Sequence, residues 1–252
     1  MLPTLWIIDT YSLMIFIGVL LCFYLYLSYA KKNKINRKFS YDILLLACIS
    51  IMLGLGSAML FQFIFDSLKE NSTNPLFSMT FFGGLIGGVI TFVIGYHLYI
   101  KKHYPQSNFL SDVVIVAPAC ITTAHGFGRI GCFLAGCCYG KQTDSFWGVK
   151  FPHLAYNVYP TQLFEAIFLL ILSSILFLLA YKFKNKYTFP IYLTLYGIFR
   201  FLIEFIRGDD RGALFLSLTP SQGISILCVL IAIILTIYFK LTTNNKNTNV
   251  VN

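Results

Sequence analysis

The sequence predicts an all-α integral membrane protein built as a seven-transmembrane-helix bundle. Three observations predict it. Hydrophobic residues make up 57% of the 252 and charged residues only 12%, about half the ~25% charge of a soluble domain. Mean hydropathy is +0.73. Seven stretches are apolar enough, over roughly 20 residues each, to cross a bilayer. So little charge cannot coat a globular surface in water, which excludes a cytosolic enzyme, a disordered chain and a disulfide scaffold. The excess of 19 Lys and Arg over 10 Asp and Glu is not a nucleic-acid footprint, because the basic residues gather in short loops between apolar runs.

The first span covers residues 11–30 and carries no charge. Before it lies neither a basic segment nor a small-residue cleavage site, so no removable signal peptide is expected. The second span covers 43–65 and the third 76–100. The third contains Phe82-Gly83-Gly84-Leu-Ile-Gly87-Gly88, a glycine cluster that reads as close helix packing. The fourth, 113–127, is short and holds Pro118. The fifth, 166–181, extends backward through Glu165 toward Pro160. Thr161 suits an N-cap, with Gln162 and Glu165 in the first turn. Capping accounts for Thr161 but not for a carboxylate one turn into a span. The sixth, 187–207, is apolar until Arg200, and the seventh covers 221–239. One membrane domain, 1–241, is expected, followed by a polar Asn/Thr-rich tail, 242–252, expected to be disordered.

Charge sets the expected orientation. Residues 31–38, 101–102, 182–186 and the C-terminal tail together carry 12 of the 19 basic residues. The positive-inside rule puts these in the cytoplasm, with the N-terminus outside and the C-terminus cytoplasmic. The polar residues that do not belong in lipid then fall at or just under the outer surface.

Three groups are of that kind. Arg200, Glu204 and Arg207 are spaced i, i+4 and i+7, so a continuous helix would put them on one face. Arg200 would lie about 10 Å deeper than Arg207 at 1.5 Å per residue. A charge within a span costs at least ~2.5–3.5 kcal/mol, so it needs a partner, a cavity or a ligand. A salt-bridged Arg200–Glu204 pair satisfies that need, and so does a phosphate held by two arginine forks. The second group is His125-Gly-Phe-Gly-Arg129-Ile-Gly-Cys132-Phe-Leu-Ala-Gly136-Cys137-Cys138-Tyr139-Gly140, with five glycines in sixteen residues. Glycines serve helix packing. With Arg129 among them they also suit an irregular, anion-binding backbone, which at membrane depth is tolerated only around a cavity or inside protein. The third is Tyr159-Pro160-Thr161-Gln162-Leu-Phe-Glu165.

In this order the pieces resemble the prolipoprotein diacylglyceryl transferase family, over most of the chain. The resemblance is carried by the Tyr11 segment, Gly83-Gly84-Leu-Ile-Gly, Gly128-Arg129-Ile-Gly, Pro160-Thr-Gln-Leu-Phe-Glu165, Tyr196-Gly-Ile-Phe-Arg200-Phe-Leu-Ile-Glu204-Phe-Ile-Arg207 and Gln222. It implies a seven-helix enzyme of the bacterial cytoplasmic membrane with its N-terminus outside. The reaction implied moves a diacylglyceryl group from phosphatidylglycerol, a membrane lipid, onto the lipobox cysteine thiol of a prolipoprotein signal peptide, and glycerol phosphate leaves. It implies active-site roles for Arg129, Arg200 and Glu204, and it implicates Tyr11 and Gly140. Gly83, Gly84, Gln162, Glu165 and Arg207 are expected to bind substrate. No cofactor and no metal are expected.

The chain departs from the family where polar side chains are usual. Phe82 stands where the family has His, Cys132 where it has Asn, Cys137 and Cys138 where it has Glu and Leu, and Tyr159 where it usually has His. A phenyl ring accepts no proton, so a base role at position 82 is absent. His125 offers an imidazole instead, although a lone His is more often structural. Cys132, Cys137 and Cys138 read in three ways: as small packing residues, as thiols or a disulfide on the oxidising side, or as nucleophiles carrying the lipid. Their spacing is not a zinc signature. The other four, Cys22, Cys48, Cys120 and Cys228, read as buried small hydrophobes.

Two rivals to the transferase reading follow. One is a divergent transferase that moves a lipid or phospho-alcohol group to another acceptor by way of the cysteines. The other is a transporter or lipid-binding protein whose Arg/Glu row is a binding site or a structural network. The chain shows no internal repeat with paired broken helices, which disfavours a transporter.

Overall fold

The computed structural model describes residues 4–5, 8–67, 81–208 and 218–248. The loop cations Lys69 and Arg211, the first residues of the third span and the Phe82 side chain lie outside the described parts. Seven helices are long and apolar enough to cross a membrane. They are α1 (Thr10–Lys32), α2 (Arg37–Ser67), α3 (Phe81–Gly95), α4 (Ala117–Ala135), α5 (Thr161–Phe183), α6 (Thr188–Ile203) and α7 (Pro220–Thr248). One small feature is not helical. Thr4–Leu5 pairs antiparallel with Ile8–Asp9 ahead of α1.

Local chemistry sets the helix ends. The Ser12 amide donates to Asp9 Oδ2 at 3.1 Å, capping α1, and the Lys38 amide donates to Asn36 Oδ1 at 2.8 Å, capping α2. At α7, Thr219 and Gln222 form a reciprocal capping box. The Thr219 amide donates to Gln222 Oε1 at 3.0 Å, and the Gln222 amide donates to Thr219 Oγ1 at 3.3 Å. Pro220 takes the first helical position, where no amide donor is needed.

The chain divides into two compact units, Ala30–Asn108 and the remainder, Met1–Tyr29 with Phe109–Asn252. In the first, α2 packs on α3 through glycines. A Cβ on Gly84 would lie 3.3 Å from Ala58 Cβ, and one on Gly83 would lie 2.7 Å from Phe61 Cβ. Backbones approach this closely only where small residues line the seam. Tyr104 donates to Asp42 at 2.6 Å within the same unit.

In the second unit α4 packs on α5 and α6 on α7. Ala119, Leu172 and Leu176 form a buried cluster with Phe168, Phe177, Ile191, Tyr192 and Tyr196 around it. Hydroxyls join the helices at depth: Thr123 and Ser173 share a hydrogen bond at 2.6 Å, and Ser173 donates to Ala119 O at 2.9 Å. On the opposite faces large apolar side chains are exposed, Ile234 at 64% and Leu202 at 60% among them. That inversion suits lipid as the surrounding medium.

Several expectations need correction. The fourth span is not short, since helical backbone runs with one break from Leu110 through Ala135. The glycine-rich stretch is regular helix as far as Ala135, because an α-helix satisfies its own amides at depth whatever its side chains. Thr161 is not the cap of α5. Pro160 holds that place, and the Thr161 hydroxyl donates to Cys138 O at 3.2 Å. The sixth span leaves α-geometry at Ile203, tightens into a 3₁₀ turn at Glu204–Ile206 and becomes extended at Arg207. Helical backbone also continues through Thr248.

Candidate active site

Glu165 is the centre of the site. It sits one turn into α5 with no exposure at all. Arg129 Nε from α4 lies 3.0 Å from its Oε2. Tyr196 of α6 donates to its Oε1 at 2.9 Å. His125, one helical turn before Arg129, places Nε2 3.6 Å from the same oxygen. Its ring meets Tyr196 edge-on, with centroids 5.3 Å apart. A buried carboxylate with these neighbours is compensated, where an isolated one would cost several kcal/mol, on the order of a lost ion pair.

Glu204 is the second anchor. Arg200 Nη2 lies 2.9 Å from its Oε2, and Arg207 Nε lies 3.9 Å from that same oxygen. Thr219, at the start of α7, donates to Glu204 Oε1 at 3.0 Å. Ser221 accepts from Arg200 Nη2 at 3.0 Å. The 3₁₀ turn thus does what the expected continuous helix face was to do, and it brings both arginines to one carboxylate. The two anchors form one electrostatic site, because Arg200 lies within reach of Glu165 as well.

Among the described residues, three guanidiniums (Arg129, Arg200, Arg207) face two carboxylates (Glu165, Glu204). Arg200 Nη1 and Gln162 Oε1 are buried with no hydrogen-bond partner among the described residues. Buried polar atoms of this kind cost about 1–3 kcal/mol each unless something completes them.

The loop 136–160 closes over the site. Gly136 takes φ +74° and ends α4 in a Schellman turn, its amide donating to Phe133 O and that of Cys137 to Cys132 O, both at 3.1 Å. Gln162 Nε2 donates to Cys137 O at 2.5 Å. Gly140 then threads between two strands of backbone. Its amide donates to Tyr159 O at 2.8 Å, and it bridges antiparallel to Arg207. A Cβ there would lie 2.6 Å from Ile206 O, so Gly140 is filled by protein and positions Arg207. Tyr11 reaches the site from α1, its Cα against Gly131, where an added Cβ would sit 3.3 Å away. Its phenol lies within electrostatic reach of Arg129 and Cys132.

The cysteines are brought together. The three sulfurs of Cys132, Cys137 and Cys138 lie within 4.8 Å of one another, all as free thiols. Hydrogen bonds from Cys132 and Cys137, with the charges of Arg129 and Arg207, hold the Cys138 thiol far below the ordinary range. Cys137 moves the other way. Its hydrogen bond to Cys132 favours the thiolate, but that to Cys138 and burial outweigh it. The other four cysteines are half-buried.

Of the expected site residues, Tyr11, Gly140, Gln162, Glu165, Arg129, Arg200, Glu204, Arg207, His125 and the three cysteines all belong to this unit. Gly83 and Gly84 belong to the other unit, in the α2–α3 seam. Sequence reasoning passed over Tyr196, Thr219 and Ser221 as site residues. Tyr196 stands one turn before Arg200, and the Thr-Pro-Ser-Gln capping pattern marked Thr219, so both had a signal.

Buried arginine–carboxylate pairs gathered at the ends of apolar spanning helices define a multi-pass membrane protein with a buried charged cluster. The comparisons with known proteins narrow the class. A sequence profile of the prolipoprotein diacylglyceryl transferase family matches residues 3–238. The chain is 34% identical over 237 residues to the phosphatidylglycerol–prolipoprotein diacylglyceryl transferase of Clostridium tetani, covering 88% of this chain and 90% of that one. It is 35% identical over 239 residues to a second such transferase of Clostridium perfringens, covering 90% of each. With the enzyme of that name from Dehalococcoides mccartyi it shares 33% over 218 residues, 81% of this chain and 80% of that one. The chain belongs to the prolipoprotein diacylglyceryl transferase family.

Proposed function

We propose that this protein transfers a diacylglyceryl group from phosphatidylglycerol to the lipobox cysteine thiol of a prolipoprotein, at the outer face of the bacterial cytoplasmic membrane. The observation that carries the reading is Arg200 Nη1, a buried guanidinium donor with no hydrogen-bond partner among the described residues. A phosphodiester is an anion with acceptor oxygens, so it completes that donor. Family membership supplies the substrate class. The basic loops support an outward N-terminus.

In this reading the acceptor sulfur attacks the glyceryl carbon next to the phosphate ester. The S–C bond forms, the C–O bond breaks, and its electron pair leaves on glycerol phosphate. Arg200 and Arg207 hold the phosphate oxygens and meet the charge that grows as the bond breaks. Arg129 holds the oxygen nearest Glu165. Glu204 keeps the Arg200 fork in its plane. His125 is the imidazole nearest the site, and it takes the thiol proton with Glu165 orienting it. Tyr11 hydrogen-bonds the headgroup, while Gln162 and Gly140 hold the loop that shapes the site. Rival acceptors and a transport role have no comparable support.

Purified protein incubated with phosphatidylglycerol and a synthetic lipobox peptide tests this. A peptide heavier by one diacylglyceryl group, in thioether linkage to the cysteine, is expected by mass spectrometry. Unmodified peptide from folded, phosphatidylglycerol-loaded protein would overturn the reading.

A further inference from the structure

The sequence spacing of Cys132, Cys137 and Cys138 matches no common metal motif, yet the fold puts their sulfurs within 4.8 Å of one another. Two left-handed residues do this. Gly136 at φ +74° turns the chain back over the end of α4, and Cys138 at φ +61° turns it again. Cys138 adopts that conformation although it carries a side chain, which only a minority of non-glycine residues do. The turn is fastened by its carbonyls, Cys137 O to Gln162 and Cys138 O to Thr161. That fastening uses backbone oxygens and leaves the sulfurs available. The contact of Cys137 Sγ with a backbone oxygen, Cys132 O, is long at 3.6 Å.

We propose that Cys132, Cys137 and Cys138 form a three-thiolate site for a zinc ion, with the fourth coordination position open on the exposed side of Cys137. Zinc–sulfur bonds of about 2.3 Å place tetrahedral sulfurs about 3.8 Å apart, which small side-chain rotations reach from the present arrangement. Soft thiolates select zinc or cuprous copper over hard cations. Each thiol gives its proton to solvent as it binds. Three thiolates on a dication leave one negative charge, and Arg129 and Arg207 both act on Cys138 to offset it. No His, Asp or Glu among the described residues joins the three sulfurs. In the proposed site the fourth ligand is water at rest, or an added thiol. That the natural occupant is the acceptor cysteine rests on the transferase reading above, whereas the metal site itself does not. A coordinated thiol is deprotonated outright, so with zinc bound the acceptor thiol would give its proton up on coordination and His125 would receive it.

Metal content tests the site without any transfer assay. Protein purified in detergent with zinc present, then desalted, is expected to hold about one zinc per chain. Cys132→Ser and Cys138→Ser should lose it at least tenfold, while Cys22→Ser keeps it. The cobalt-substituted wild-type protein is expected to show sulfur-to-cobalt charge transfer, with a band that shifts when 2-mercaptoethanol is added. That spectrum keeps the proposal testable if a serine variant fails to fold. Three freely titrating thiols with no bound metal, a disulfide within the cluster, or undiminished zinc in Cys132→Ser would overturn the site. A cobalt band indifferent to added thiol would overturn the open position. Cuprous copper held in preference to zinc under competition would replace the ion. If zinc binds but no lipidated peptide forms, the transferase reading fails and the metal site stands.

Discussion

At the scale of single residues, burial separates groups that serve the fold from groups that serve the site. Glu165 is fully buried and supports Arg129, His125 and Tyr196. Its loss leaves a cation in a low-dielectric interior. Glu165→Gln is expected to cost about 3–5 kcal/mol, read as a lower yield of monodisperse protein and a lower thermal midpoint. Arg200 is different. Its Nη2 is held by Glu204 and Ser221, and Nη1 has no partner among the described residues. Arg200→Lys keeps the charge but loses the planar fork. It should fold at near wild-type yield and lose transfer by about 10²-fold, in the range seen when one transition-state donor is removed. Full transfer by Arg200→Lys would reduce the residue to a point charge. Glu204→Gln, assayed for yield beside turnover, separates a structural pair from a mechanistic one. Turnover is expected to fall more than yield, because Thr219 and Ser221 continue to hold the neighbouring groups.

At the scale of elements, the site is made by chain ends and turns. The capping box of α7 places Thr219 so that one hydroxyl serves both a helix amide and Glu204. Thr219→Ala is therefore expected to cost about 1 kcal/mol through the cap and also to loosen Glu204, with loss of transfer exceeding loss of stability. Gly140 lies where an added methyl meets Ile206 O at 2.6 Å and Thr161 and Tyr159 at 2.8 Å. Two of those three neighbours cannot rotate away. Gly140→Ala is expected to cost about 1–3 kcal/mol as an overpacked site and to displace Arg207, measured as a raised KM for phosphatidylglycerol. An unchanged KM would mean that Arg207 does not hold the lipid.

At the scale of the whole molecule, the expected orientation makes a physical claim about two faces. Within the unit that holds the site, loop 136–160 precedes α5 and the basic residues 182–186 lie at its C-terminal end, so the two lie at opposite ends of that helix. Phe146 and Trp147 project from that loop, 93% and 64% exposed, as amphipathic or apolar rings do where protein meets lipid headgroups. In intact cells a membrane-impermeant maleimide is expected to label Trp147→Cys. It should reach Asn33→Cys and Lys184→Cys only after permeabilisation, all in a background without native cysteines. Labelling of Asn33→Cys in intact cells would invert the topology and place the reaction in the cytoplasm.

The seven spans and the class of solvent around them were legible in the sequence, because lipid demands long apolar runs and tolerates few charges. So were Arg129, Arg200 and Glu204, since charges inside such runs stand out against that demand. What only the tertiary structure decided is which carboxylate each arginine meets. Arg129 reaches across to Glu165, 36 residues on, and no local rule sets a contact between helices. The 3₁₀ turn at Glu204–Ile206 was equally hidden, because the i, i+4, i+7 spacing assumes uniform geometry and the return of the chain past Gly140 overrides it. The same holds for the cysteines. Spacing alone argued against a metal site, and two residues with positive φ, a property of backbone turns that composition does not encode, brought their sulfurs together.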